Sequence, residues 1–248
     1  MMKPFLILQL RPEDDVADDE LAAFQRFGDL ADKDVRRVRM EQQSIPDIDL
    51  ADYAGVIVGG GPSNVSDDPT KKSSAQLRFE AQLGTLMDKI IATDFPFLGA
   101  CYGLGFLVQH LGGAVSQAQY SEPVGALTVT LTAAAHDDPI TADLPVSFRA
   151  FAGHKEACQA VPAGAVLLAS SETCPVHMIR YQQNLYGAQF HTELDVEGII
   201  LRIRAYKHAG YFPPEAADDL IAAARQEQIT EPGKILKTFI DRYRQPVS

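Results

Sequence analysis

The polar and apolar positions of this chain change period several times along its length. PFLILQL at 4–10 is a short apolar run, and Leu21, Phe24 and Phe27 then recur at helical spacing. ADYAGVIVGGGP at 51–62 is a second apolar run, ending in three glycines and a proline. From Ser74 onward, Phe79, Leu83, Leu86, Met87 and Ile90 fall on one face of a helix. FPFLGA at 95–100 reads as a strand buried on both faces. Apolar strands separated by helices predict an α/β fold with a mostly parallel sheet flanked by helices.

The middle of the chain breaks into shorter runs: PVGALTVTLT, VSFRAFAG, AVLLASS and HMIRYQQNLYGAQF, the last with Asn184 marking a hairpin. These predict a β-rich insertion. Beyond 195 the pattern turns helical in three pieces, punctuated by Pro213, Pro214 and Pro232. The expected organisation is therefore a main domain over 1–195 and a C-terminal helical extension over 196–248, packed on the same domain.

Composition narrows the function. The chain has 248 residues, 46% of them hydrophobic, enough for one sizeable core. Its net charge of −11 argues against a nucleic-acid partner, because phosphate neutralisation needs clustered Lys and Arg. No run approaches the ~20 apolar residues that span a bilayer, and the opening MMKPFLILQLRPEDD is too short an apolar stretch for a signal peptide. Three cysteines make no disulfide framework. A cytoplasmic protein with no membrane partner is expected.

Chemistry concentrates in three segments. Gly99-Ala100-Cys101-Tyr102-Gly103 follows a predicted strand and opens a predicted helix, which resembles the sharp turn that presents a nucleophile. A thiol at a helix N-terminus is expected to have a lowered pKa. His191 and Glu193 end a later strand at i and i+2, so the carboxylate can orient the imidazole. The Gly59–Gly61 turn leaves backbone amides free, so Gly60 or Gly61 with the Tyr102 amide can form an oxyanion site. His154, Cys158, Cys174 and His177 have tolerable zinc spacings. A turn and a buried strand lie between the two pairs, so no metal is expected. His154 is read instead as lining a pocket, and Cys158 and Cys174 as inert core thiols.

In this order, GGGPSNV, FLGACYG, LGGAV, PVGALTVTL, GHKE and GAQFHTE resemble the class I glutamine amidotransferase family, in its GMP synthase-like branch, over roughly residues 5–195. The resemblance implies a flavodoxin-like sheet and hydrolysis of a glutamine side-chain amide. Cys101 would be the nucleophile, His191 the proton shuttle and Glu193 its holder. No cofactor is implied, and ammonia would pass to a separate synthase partner. Two positions depart from the family pattern: Gly105 stands where the elbow usually carries a substrate-holding Gln, and Thr192 replaces a proline. The first opens room for a larger γ-glutamyl small molecule, so a stand-alone γ-glutamyl peptidase or amide hydrolase is the alternative. A catalytically silent binding module is the second.

Overall fold

The computed structural model describes residues 2–244 and 246. Strands β1 (Phe5–Gln9), β2 (Val35–Arg39), β3 (Gly55–Val58) and β4 (Phe97–Ala100) alternate with helices α1 (Asp14–Gly28) and α2 (Ser74–Thr93), and α3 (Tyr102–His110) follows β4. Then come β5 (Val115–Ser116), β6 (Glu122–Leu131), β7 (Ser147–His154), β8 (Ala157–Cys158), β9 (Ala165–Ser170), β10 (Met178–Tyr181) and β11 (Leu185–Ala188). Helices α4 (Val196–Ala205), α5 (Ala217–Ala224) and α6 (Glu231–Tyr243) close the chain.

Nine strands form one mixed sheet in the order β2-β1-β3-β4-β11-β10-β9-β6-β7. The stretch from β2 to β11 is parallel. From β11 onward the pairings are antiparallel. The β-rich middle of the sequence thus continues the main sheet rather than standing beside it.

Strand periodicity sorts the core. Successive side chains of a strand point to opposite faces. Accordingly, Phe5 and Ile7 pack with Phe24 of α1 and Phe239 of α6, while Leu6 and Leu8 pack with Phe79, Leu83, Met87 and Ile90 of α2. All five apolar residues that predicted α2 are buried, and Ser73 caps that helix by accepting from the Gln76 amide at 3.0 Å. A third cluster joins Phe151 of β7 to α4 and α5.

Two features were not foreseen. VRRVR forms edge strand β2, whose arginines mask its β character in the sequence; Arg37 donates to Gln9 of β1 at 2.6 Å and to Asp18 of α1 at 2.7 Å. In the β10–β11 hairpin the left-handed residue is Gln182 (φ 51°), not Asn184. Asn184 instead ties the turn down, its side-chain amide donating to the Asp94 carbonyl at 2.9 Å.

Candidate active site

Strand register levels the ends of three elements. Val58 pairs with Gly99, and Gly99 with Gly187, so β3, β4 and β11 finish side by side. Their carboxyl ends release the Gly59–Gly61 turn, Cys101, and residues 189–193 at one place, where open α/β sheets bind ligands.

Cys101 makes the step from β4 into α3 with φ 50° and ψ −97°, a conformation L-residues rarely adopt. Its amide is fixed to the Ala188 carbonyl at 2.7 Å. The flanking glycines are needed for closure. A Cβ at Gly99 would lie 2.5 Å from the Gly103 carbonyl carbon, and one at Gly103 would lie 2.8 Å from the Val58 carbonyl oxygen. Cys101 borders a cavity shared with Arg11, Gly61, His191, Arg202 and Tyr211.

His191 Nδ1 lies 2.8 Å from Glu193 Oε1. Arg202 of α4 reaches the same carboxylate oxygen at 3.0 Å, and its other terminal nitrogen sits 3.1 Å from His191 Nδ1. A guanidinium only donates and a carboxylate only accepts. We assign the Nδ1 proton to the shorter contact, toward Glu193, which leaves the Nε2 lone pair free. Behind them Glu20 accepts from Arg11 Nε at 3.0 Å and lies 3.4 Å from Arg202. The whole network is buried.

Burial decides the resting charges. It pushes the Cys101 thiol up to about 11, and nearby Arg11 opposes that without cancelling it. The lowered thiol pKa expected from the helix N-terminus is therefore not the resting state of this site. Burial also lowers the His191 pKa; Glu193 works the other way, while Arg202 and Arg11 add to the lowering. Glu193 pays a desolvation penalty, yet His191 and Arg202 together hold it well below the usual carboxylate range. At neutral pH the site holds a neutral thiol and a neutral imidazole. Those resting charges suit general-base activation of a thiol rather than a preformed thiolate–imidazolium couple.

The other sequence candidates separate. The amides of Gly60 and Gly61 form no hydrogen bond within the protein among the described residues. Tyr102 heads α3, where helix amides lack intrahelical partners. Its ring points away from the site, donating to Glu80 at 2.8 Å. His154 borders a neighbouring cavity, but both ring nitrogens are already engaged, with Glu122 at 2.8 Å and the Glu156 carbonyl at 2.8 Å. Lining that cavity, it offers a substrate no free ring nitrogen. A Cβ at Gly105 would meet only ordinary contacts, 3.4 Å to Val65 and 3.5 Å to Glu156.

Sequence reading missed Arg11, Glu20, Gln189 and Arg202. Gln189 lies one residue past β11 and donates toward Cys101 Sγ at 3.8 Å. Arg202 did leave a trace, since it interrupts the apolar stripe of Ile199, Ile203 and Tyr206 at helical spacing. An arginine on a buried stripe needs a buried partner.

Residues 24–197 match the model of the glutamine amidotransferase class-I family. The chain belongs to that family. It is 31% identical to the glutamine-hydrolysing GMP synthase of Thermomicrobium roseum over 183 residues, covering 73% of this chain and 31% of that protein. The match thus spans about a third of that synthase. One subunit of the glutamine-hydrolysing GMP synthase of Picrophilus torridus is 29% identical over 147 residues, covering 59% of this chain and 70% of that polypeptide. A Thermotoga maritima glutamine amidotransferase structure superposes with a TM-score of 0.76 at 20% identity, covering 97% of this chain and 98% of that one. One from Methylobacillus flagellatus gives 0.70 at 19%, covering 99% and 98%. These two share the fold of the present class I amidotransferase. Among its described residues no helix is long and apolar enough to cross a membrane.

The glycine turn gives this amidotransferase a sharp test. A Cβ at Gly60 would sit 2.5 Å from His191 Cε1. Gly60→Ala is expected to displace the imidazole and lower kcat at least ~10²-fold, since small misplacements cost that much. Wild-type kcat in Gly60→Ala would show that the ring does not depend on this contact.

Proposed function

We propose that this class I amidotransferase hydrolyses a γ-glutamyl amide, that of glutamine in the first instance, with Cys101 as nucleophile. The observation that carries the reading is the shared cavity. The strained Cys101 and the Glu193-held His191 open on the same space, beside amides with no internal partner. His191 Nε2 takes the thiol proton as Sγ attacks the amide carbonyl. The Tyr102 amide and a glycine-turn amide receive the oxyanion. The imidazolium, stabilised by Glu193, protonates the departing ammonia and leaves a thioester. Water, deprotonated by the same nitrogen, then releases the γ-carboxylate and regenerates the thiol.

One of the relatives is by name a single subunit of a GMP synthase, which supports passage of ammonia to a separate synthase. One observation favours a second substrate. Gly105 borders the pocket that Cys101 also lines and puts no side chain into it, which suits a γ-glutamyl dipeptide as the alternative substrate.

Ammonia and amine release should be measured from glutamine and from γ-glutamyl dipeptides, with Cys101→Ala as the blank. Turnover of any of these above the blank supports the chemistry, and none would end it. Gly105→Gln is expected to shift kcat/KM toward glutamine by about tenfold, the scale of one added neutral hydrogen bond. Equal effects on all substrates would show that residue 105 does not read the substrate.

A further inference from the structure

The start of β6, the end of β7 and the turn at 171–177 meet around one buried carboxylate. Glu122 lies opposite His154 in the β6–β7 pairing. Its Oε1 accepts from Ser171 at 2.6 Å and also from Thr173. Its Oε2 faces His154 Nε2 at 2.8 Å and His177 Nε2 at 2.7 Å. Cys174 Sγ completes the group. One ligand-type atom from each of Glu122, His154, Cys174 and His177 falls within 4.8 Å of the others, and all four residues are buried.

The hydrogen bonds leave this cluster short of a cation. His154 Nδ1 is 2.8 Å from the Glu156 carbonyl, which only accepts, so Nδ1 carries the ring proton. With that proton committed to the carbonyl, Nε2 faces a carboxylate oxygen that has only lone pairs. The contact closes with an extra proton or with a metal ion. The His177 ring is near-parallel to that of Phe190, with centroids 6.2 Å apart, and its Nδ1 is buried with no partner among the described residues.

We propose that Glu122, His154, Cys174 and His177 form a structural site for zinc or a similar divalent transition metal. Two imidazoles, a carboxylate and a thiolate are a zinc-type donor set. Their charges cancel those of the ion, so the buried centre is neutral once the Cys174 proton has left to solvent. The His154 Nδ1–H held by a backbone carbonyl is the outer support that metal-bound histidines usually have. Ser171 and Thr173 occupy Oε1 and leave Oε2 for the ion. Tetrahedral bonds of ~2.1–2.3 Å place ligand atoms about 3.4–3.7 Å apart. The two nitrogen–oxygen contacts must therefore open by roughly 0.7 Å and the widest separation close by roughly 1 Å. A surface cavity lined by Gln117, Ser121, Pro123 and Lys155 also borders Glu122 and His154.

Spacing alone had grouped Cys158 with these residues. In the fold Cys158 pairs with Val115 and packs into the α2–α3 side of the core. Glu122, 32 residues before His154, takes the fourth place. The ion would pin the 171–177 turn onto β6 and β7, behind the wall of the catalytic cavity.

The test uses untagged Cys101→Ala protein, which removes the cysteine that borders the cavities of His191 and His154, so its outcome is independent of the amide chemistry. After chelation and dialysis it is titrated with cobalt(II), and its melting temperature is followed with zinc. Saturation at a single equivalent, with a thiolate-to-cobalt charge-transfer band, is expected. Adding Cys174→Ser should abolish that band, adding His177→Gln should weaken cobalt binding more than ~10²-fold, and zinc should raise the melting temperature of the parent only. A folded parent that shows no saturable cobalt band and no zinc response would overturn the proposal. So would cobalt binding indifferent to both added substitutions.

Discussion

Cys101→Gly is expected to destroy amide hydrolysis and to make the protein more stable. The proposed nucleophile sits at φ 50° and ψ −97°, held there by the Ala188 carbonyl on one side and the start of α3 on the other. Such a conformation costs a side-chain-bearing residue about 1–3 kcal/mol, and glycine is largely free of the penalty. Glycine also loses more backbone entropy on folding, by roughly 0.5–1 kcal/mol. The net expectation is a gain of about 1 kcal/mol in chemical denaturation, with activity reduced at least ~10⁴-fold, the scale on which nucleophile removal acts. Cys101→Ala should lose the same activity without the gain, because it keeps the strain. A glycine variant less stable than the alanine variant would mean that the elbow is not strained.

Arg202→Met should be the most destabilising change in the site. Arg202 is buried between Glu193, 3.0 Å away, and Glu20, 3.4 Å away. Methionine fills much of the volume but leaves two buried carboxylates sharing fewer cations. Breaking a buried charge network from one side costs about 3–5 kcal/mol. The sign of the pH dependence follows from Glu193, whose pKa is depressed in the folded protein by His191 and Arg202 against the desolvation penalty. A depressed carboxylate contributes stability above its unfolded pKa and loses it as pH falls through the folded value. Removing Arg202 lifts that folded value, so the stability gap between wild type and Arg202→Met should narrow as pH falls from the variant's raised folded pKa toward the wild type's depressed one.

Activity gives an independent readout. Arg202 is one of the groups that lowers the His191 pKa, alongside burial. If neutral His191 is the base, activity is lost as pH falls through that lowered pKa, and the acid limb of kcat/KM should move to higher pH in Arg202→Met. An arginine that acted only as structural support would change stability and leave this limb in place.

The local pattern alone determined much of this protein. Phe79, Leu83, Leu86, Met87 and Ile90 announced α2 because a helix must bury one stripe, and FPFLGA announced β4 because a strand covered on both faces is apolar throughout. The glycines around Cys101 and the His-x-Glu spacing of 191 and 193 were legible because both are local geometry. The edge strand β2 was hidden by three arginines, of which Arg37 reaches Gln9 of β1 and Asp18 of α1. Register between β4 and β11 brought Cys101 to the end of the strand that leads to His191, a pairing across nearly ninety residues that no local pattern encodes. Packing decided the charges: burial raised the thiol and lowered the imidazole against what helix position and a neighbouring carboxylate suggest. Packing also chose Glu122 over Cys158 as companion to His154. Sequence spacing fixes what a residue can reach along its own element, whereas desolvation and long-range partners exist only once the elements have packed.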